Sequence, residues 1–156
     1  VSALPHFIVK KINPVVKKTL IRTGKWSSRQ SVFAHFRNKK VFSLLTDKAL
    51  WDYVNSATTE ASNGEASLSY SKDWEAQVYL TIFNPWNDLK RLKKPFLAIK
   101  GETSETIFPA VWEKWKSVNK TGELIEMENC GHLVPLEKPK ELAGEILKYL
   151  KSSSVH

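Results

Sequence analysis

Apolar residues recur at helical spacing through most of residues 7–92. In the segment 7–21 Pro14 interrupts this spacing, which predicts one kinked helix or two short ones. The same spacing predicts three more helices, which begin after Ser27 or Ser28, after Thr46 and at Asp73. Between Thr58 and Gly64 the residues become small and polar, which predicts a turn before a short extended segment at 66–70. Residues 1–92 are therefore expected to be mainly helical.

The pattern changes at Pro95, where short apolar runs begin to alternate with helical segments. The run 96–99 is closed by Gly101 and is typical of a strand buried on both faces of a parallel sheet. Residues 123–127 are a second strand candidate, and an amphipathic helix follows through Leu150. This order predicts an α/β fold class with a parallel sheet over residues 93–151, followed by a tail at 152–156. Two strands leave faces and edges that neighbours must cover, so the sheet is expected to be incomplete.

Composition narrows the classes of protein to consider. The chain has 156 residues, 42% of them hydrophobic, and no apolar run long enough to span a membrane. Lys and Arg number 24 against 16 acids, but they are scattered, which favours a solvated basic surface over a nucleic-acid site. Cys130 is the only cysteine, which excludes an intramolecular disulfide. With no targeting segment recognised, these features predict a cytoplasmic protein.

One histidine lies where parallel sheets place their ligands. The stretch 128–139 follows the second strand candidate, precedes the last helix, and contains Gly131 and His132. Ligands of open α/β sheets bind beyond the carboxyl ends of the strands, and a glycine there lets the backbone turn tightly. An isolated Gly-His pair carries little information, but this context makes His132 a candidate catalytic residue.

The same residues resemble the end of an α/β-hydrolase domain. In that family a strand, a Gly-His loop, a proline-containing segment and a closing helix end the fold, and residues 95–102 resemble the preceding strand. The triad of these enzymes runs Ser, then Asp or Glu, then His along the chain. Residues 1–92 resemble the cap that the family inserts ahead of that strand. The resemblance implies a cap and the last two strands and helices of a hydrolase sheet, with His132 as general base.

The acid of the triad is expected in the loop after residues 96–101. Glu105 is the favoured residue and Glu102 is the alternative, because Glu102 follows Gly101 directly, at a position that is more often non-catalytic. The family usually has Asp in this loop, and this chain has none there. A third possibility is that both are solvated loop carboxylates. In the functional interpretation, Glu105 accepts a hydrogen bond from His132 and fixes its tautomer.

The nucleophile is missing from the sequence. No Gly-x-Ser-x-Gly elbow, equivalent aspartate motif or His-Gly oxyanion loop occurs. The expected partner is therefore the N-terminal half of the hydrolase, on the same or a separate chain, and the chain alone is expected to hydrolyse nothing. The expected substrate is a small apolar ester-like molecule, and no metal or organic cofactor is implied.

Aromatic residues and Cys130 each allow two interpretations. Trp26, Phe33 and Phe36 could line a substrate pocket, but aromatic residues at helical spacing more often form a core. Cys130 could pair with His132, although a buried small apolar side chain is the stronger interpretation.

Two functional hypotheses therefore remain. The first is an esterase-like hydrolase that is active once the chain is joined by its N-terminal half. The alternative is a truncated, non-catalytic paralogue that acts as a basic binding module.

Overall fold

A computed structural model of the chain describes residues 13–81 and 84–153. In chain order the elements are α1 (Pro14–Ile21), β1 (Lys25–Trp26), α2 (Arg29–Arg37), a 3-10 turn (Lys40–Phe42), α3 (Asp47–Ala57), β2 (Thr58–Glu60), β3 (Ala66–Leu68), α4 (Lys72–Leu80), α5 (Trp86–Arg91), β4 (Phe96–Gly101), α6 (Pro109–Val118), β5 (Gly122–Met127), α7 (Val134–Glu137) and α8 (Pro139–Ser153). The predicted α/β class and the strand–helix–strand–helix order after Pro95 are confirmed. No helix among these elements is long and apolar enough to cross a membrane.

The described residues form two compact units. The first contains residues 13–37 and 50–81, and the second contains residues 38–49 and 84–153. The sequence placed a boundary at residue 92, which stays a prediction; in the structure α5 lies in the second unit. The physical reason is that the side chain of Asn119 donates to the main-chain oxygens of Leu89 and Leu92, at 2.6 and 3.1 Å. Residues 38–49 join the second unit as well, which local periodicity did not predict.

Helices of the first unit begin where polar side chains can cap them. Asn13 accepts hydrogen bonds from the backbone of Val15 and Val16, so α1 starts at Pro14 rather than being kinked there. The part of this predicted helix before Asn13 lies outside the described residues. Ser28 accepts from the backbone of Ser31 at the start of α2, as predicted.

A small antiparallel sheet completes the first unit. Its order is β1–β3–β2, with Thr58 opposite Leu68 and Glu60 opposite Ala66. Residues 58–60 were predicted to be part of a turn, but they form β2, and the turn is confined to the residues before Glu65. Arg29 holds this strand, since it donates to the Thr58 oxygens and pairs with Glu60 at 3.2 Å.

In the second unit, β4 and β5 form a parallel pair with Phe96 opposite Gly122 and Gly101 opposite Met127. The helix α6 connects them, as parallel strands require. Burial on both faces was expected for residues 96–99; Ala98 is buried, while the other three are half-buried. A small core of Met127, Cys130 and Val134 begins at the carboxyl end of β5, and Leu142 of α8 packs against it. This core supports the loop that carries His132.

Candidate active site

The loops after β4 and β5 are locked together at the carboxyl ends of the strands. The backbone N–H of Glu102 donates to the Met127 oxygen at 2.9 Å, and that of Thr103 donates to the Cys130 oxygen at 3.0 Å. Gly101 permits this approach, because a Cβ there would lie 1.9 Å from the main-chain oxygen of Gly131. The position of the His132 loop is therefore set by direct contact with the β4 loop.

Glu137 holds the His132 loop from the other side. Its carboxylate accepts hydrogen bonds from the backbone N–H groups of Gly131 and Leu133, the latter at 2.9 Å. These amides flank His132 on both sides. A Cβ on Gly131 would come within 2.8 Å of a Glu137 carboxylate oxygen, so this close contact favours glycine at position 131. A carboxylate accepting two backbone donors fixes the backbone from which the imidazole projects.

The His132 imidazole contacts a serine hydroxyl rather than a carboxylate. His132 Nδ1 lies 3.2 Å from Ser104 Oγ, and Ser104 is only 8% exposed. In the described part of the chain this is the one hydrogen bond of the His132 side chain, so its Nε2 is available to a reactant. His132 itself is exposed. The imidazole is thus anchored at one nitrogen and accessible at the other.

Both predicted acids have other partners. Glu105 forms an exposed ion pair with Lys40, and a Glu102 carboxylate oxygen accepts from the Asn129 backbone at 2.9 Å. Asn129 has a left-handed backbone with φ of 50°, so Glu102 supports a tight turn. The structure therefore brings neither carboxylate to His132, although Glu105 shares a cavity with it. The assignment of the acid stays a prediction.

A cavity within the second unit opens beside the imidazole. It is lined by Lys40, Val41, Ser43, Leu44, Thr103, Glu105, Thr106, Gly131, His132 and Glu137. The residues of segment 40–44 thus form one wall and those of the two strand loops form the other. A molecule in this space would lie beside the His132 side chain.

Cys130 is not part of that cavity. It is fully buried, and burial, followed by the hydrogen bond and charge of Glu137, raises the pKa of its thiol to about 11. A thiol with this pKa is protonated at neutral pH and is a poor nucleophile. The structure thus favours the interpretation of Cys130 as a small core residue.

The predicted pocket aromatics pack against aromatic neighbours in the first unit. Trp26 contacts Phe36 edge to face, with the ring centroids 5.8 Å apart, and Phe33 stacks on Trp51 with the ring centroids 4.5 Å apart. None of the three is among the described residues that line the cavity beside His132. This packing is the arrangement expected of a core, and their contact with a substrate stays a prediction.

The roles of Ser104 and Glu137 were not predicted from the sequence. Both lie in the stretches that resemble a hydrolase, but a serine beside two glutamates gives no reason to prefer it as a partner for histidine. A signal for Glu137 was available, because a carboxylate a few residues after a glycine-containing loop can accept from exposed backbone N–H groups there.

Comparison with solved structures identifies the fold. The chain aligns with E-2-(acetamidomethylene)succinate hydrolase at a TM-score of 0.76 and 13% identity, covering 92% of this chain and 53% of the other. An esterase from M. tuberculosis gives 0.71 at 16% identity, covering 97% and 52%. A peroxisomal α/β-hydrolase of Saccharomyces cerevisiae gives 0.66 at 16%, covering 95% and 39%. No family model and no curated protein matches the sequence.

These alignments cover nearly all of the chain and about half or less of each solved structure. This partial coverage agrees with a parallel sheet that has only two strands in the described residues. At such low identity the similarity establishes architecture and leaves chemistry open. The chain has the fold of part of an α/β-hydrolase.

Proposed function

We propose that this chain is the cap and C-terminal part of an esterase-like hydrolase and that it supplies His132 as the general base. One observation carries the proposal: His132 lies at the carboxyl end of β5, beside a cavity, with Nδ1 anchored and Nε2 accessible. A general base must have one nitrogen fixed by a partner and the other within reach of the proton it removes.

The N-terminal half of the hydrolase would supply the remaining groups, because a triad also needs a nucleophile and oxyanion donors. This chain aligns with only about half of each of these solved structures, which supports the proposal that a second half supplies the remaining groups. Two of those relatives are named a hydrolase of a succinate derivative and an esterase, which supports hydrolysis of a small ester-like substrate here. A serine or aspartate nucleophile is equally compatible with this chain.

For the acid we keep Glu105 as the first candidate and Glu102 as the second. Glu105 would have to leave Lys40 to reach His132, and this costs little because the pair is exposed on both sides. Glu102 would have to give up its hydrogen bond to the Asn129 backbone, which supports a left-handed turn. Glu105 is therefore the easier carboxylate to redirect.

The test uses the complete natural protein, which is isolated from its source with an antibody raised against this chain. Its mass is measured under native and denaturing conditions. Hydrolysis of p-nitrophenyl butyrate is then compared between the complete protein, the isolated chain and the variant His132→Ala. We expect the isolated chain to be inactive and His132→Ala to lower kcat by at least about three orders of magnitude. Unchanged kcat in His132→Ala would refute the assignment.

Three glutamate variants of the complete protein locate the acid. We expect Glu105→Gln to lower kcat by about two to four orders of magnitude and Glu102→Gln to lower it less. Glu123→Gln is the matched control, because Glu123 is an exposed residue of β5 outside the cavity. The reverse order of the first two would move the acid to Glu102. A natural protein of 17.8 kDa without activity would instead support the basic binding module.

A further inference from the structure

The proton on His132 can be placed from the hydrogen-bonding capacity of Ser104. A hydroxyl both donates and accepts, whereas a neutral imidazole has one nitrogen of each kind. The backbone N–H of Ser104 donates to the Gly101 oxygen at 3.1 Å, which holds the residue in the turn after β4. Its hydroxyl has one partner in the described part of the chain, His132 Nδ1.

Two arrangements of this hydrogen bond are possible, and they differ in what they leave unsatisfied. If Nδ1–H donates to Ser104, the hydroxyl hydrogen stays without an acceptor at a position that is only 8% exposed. If the hydroxyl donates to Nδ1, both groups are satisfied and the imidazole proton lies on Nε2 of an exposed residue. Burying an unsatisfied donor costs free energy, so the second arrangement is favoured.

The charged groups around the imidazole do not reverse this preference. Glu137 uses its carboxylate on the backbone N–H groups of Gly131 and Leu133, and Glu105 is paired with Lys40. Neither provides an acceptor at Nδ1. In a triad with a carboxylate orienter, Nδ1 carries the proton and Nε2 is the base. A hydroxyl in that place permits the opposite tautomer.

We propose that Ser104 is the positioning residue of His132 and that its hydroxyl donates to Nδ1, so that the neutral histidine of this chain carries its proton on Nε2. The consequence of this tautomer for turnover rests on the proposed function. With its proton on Nε2, the neutral His132 cannot accept a proton there. Nε2 becomes the base only when a carboxylate replaces Ser104 as the partner of Nδ1. The tautomer itself is a property of the chain alone.

The direct test is two-bond ¹H–¹⁵N correlation spectroscopy of the uniformly ¹⁵N-labelled chain, at a pH where imidazole is neutral. The signals of His132 are assigned by their loss in His132→Gln. We expect Nδ1 to resonate as an unprotonated nitrogen that accepts a hydrogen bond and Nε2 as a protonated one. A protonated Nδ1 in the unaltered chain would overturn the proposal.

Variants of the neighbouring loop separate the role of Ser104 from a general effect of the fold. Ser104→Ala should move both nitrogen signals toward those of an imidazole that exchanges freely between tautomers. Ser104→Asp should place the proton on Nδ1, because a carboxylate only accepts. Thr106→Ala, a hydroxyl deletion in the same loop, should change neither. Signals unchanged in Ser104→Ala, or an Nδ1 still unprotonated in Ser104→Asp, would refute the proposal.

Failure of this inference and failure of the proposed function give different results. A complete protein that hydrolyses no ester would refute the proposed function and leave the tautomer assignment standing. A protonated Nδ1 with normal turnover would refute the tautomer assignment and leave the proposed function standing. In an active complete protein, we expect Ser104→Asp to restore kcat to Glu105→Gln, because the new carboxylate keeps the proton on Nδ1 and leaves Nε2 free to act as the base.

Discussion

Replacing Glu137 with glutamine tests how the His132 loop is held. The carboxylate accepts from the N–H of Gly131 and of Leu133, one oxygen to each. Glutamine keeps one acceptor and turns an N–H₂ group toward the other amide, so one backbone donor loses its partner. A lost hydrogen bond to a charged acceptor at a half-buried site is worth about 2 kcal/mol.

We therefore expect Glu137→Gln to lower the free energy of unfolding by about 2 kcal/mol, measured by urea denaturation with tryptophan fluorescence. Glu123→Gln is the control, and its effect should stay within about 0.5 kcal/mol because the side chain is exposed. Site-resolved hydrogen exchange supplies a local measurement. The amide hydrogens of Gly131 or Leu133 should exchange roughly thirtyfold faster in Glu137→Gln.

Glu137→Gln should also change the chemistry of Cys130. Burial is the first cause of its raised thiol pKa, but Glu137 contributes through a hydrogen bond and its charge. Removing that charge should lower the pKa and speed alkylation of the thiol at a fixed alkaline pH. Equal stability of the two glutamine variants, together with unchanged exchange at residues 131 and 133, would show that Glu137 does not hold the loop.

Two further predictions concern the packing of the same loop. Gly101→Ala should destabilise the chain by about 3 kcal/mol or more, because its Cβ would lie 1.9 Å from the Gly131 oxygen. Gly144→Ala, in open space within α8, should stabilise it by about 1 kcal/mol; similar effects of the two in denaturant titrations would contradict the contact. Folding raises the Cys130 pKa from 9.0 to about 11, so the folded state holds the thiol proton more tightly than the unfolded state. The contribution of this group to the free energy of unfolding is therefore complete below pH 9 and is lost as the pH rises through 11. Unfolding measured from pH 8 to 11 should show the unaltered chain losing up to about 3 kcal/mol more than Cys130→Ala, and parallel curves would argue against the raised pKa.

Local sequence signals were sufficient where one element determines the structure. The helices after Ser28 and Thr46 begin where a hydroxyl accepts a backbone N–H near the start of the helix, and such caps are readable from a few residues. The run 96–99 was recognised as a strand because an apolar run of that length suits a parallel sheet, and the stretch 123–127 was recognised as the second strand of the alternating pattern. The loop after a strand then marked His132 as a candidate.

Partners that depend on the register of two distant strands were not predictable. Ser104 meets His132 because Gly101 lies opposite Met127, and a shift of that pairing would bring a different residue of the β4 loop to the imidazole. The burial of Lys100 also depends on the register of the two strands. Its side chain is 4% exposed and forms an ion pair at 2.9 Å with Glu126, the residue opposite it in β5. From the sequence alone, a lysine at the end of an apolar run is expected to be exposed.

The pairing of β4 with β5 alone also has a consequence for how the chain behaves during production. Within the described residues each of these strands bonds to one neighbour, so each presents a row of unused N–H and C=O groups on its outer side. Such rows can pair with a second copy of the chain as readily as with the rest of a hydrolase sheet. Self-association should therefore rise with protein concentration, and we expect it to fall when the proposed N-terminal half is produced together with this chain.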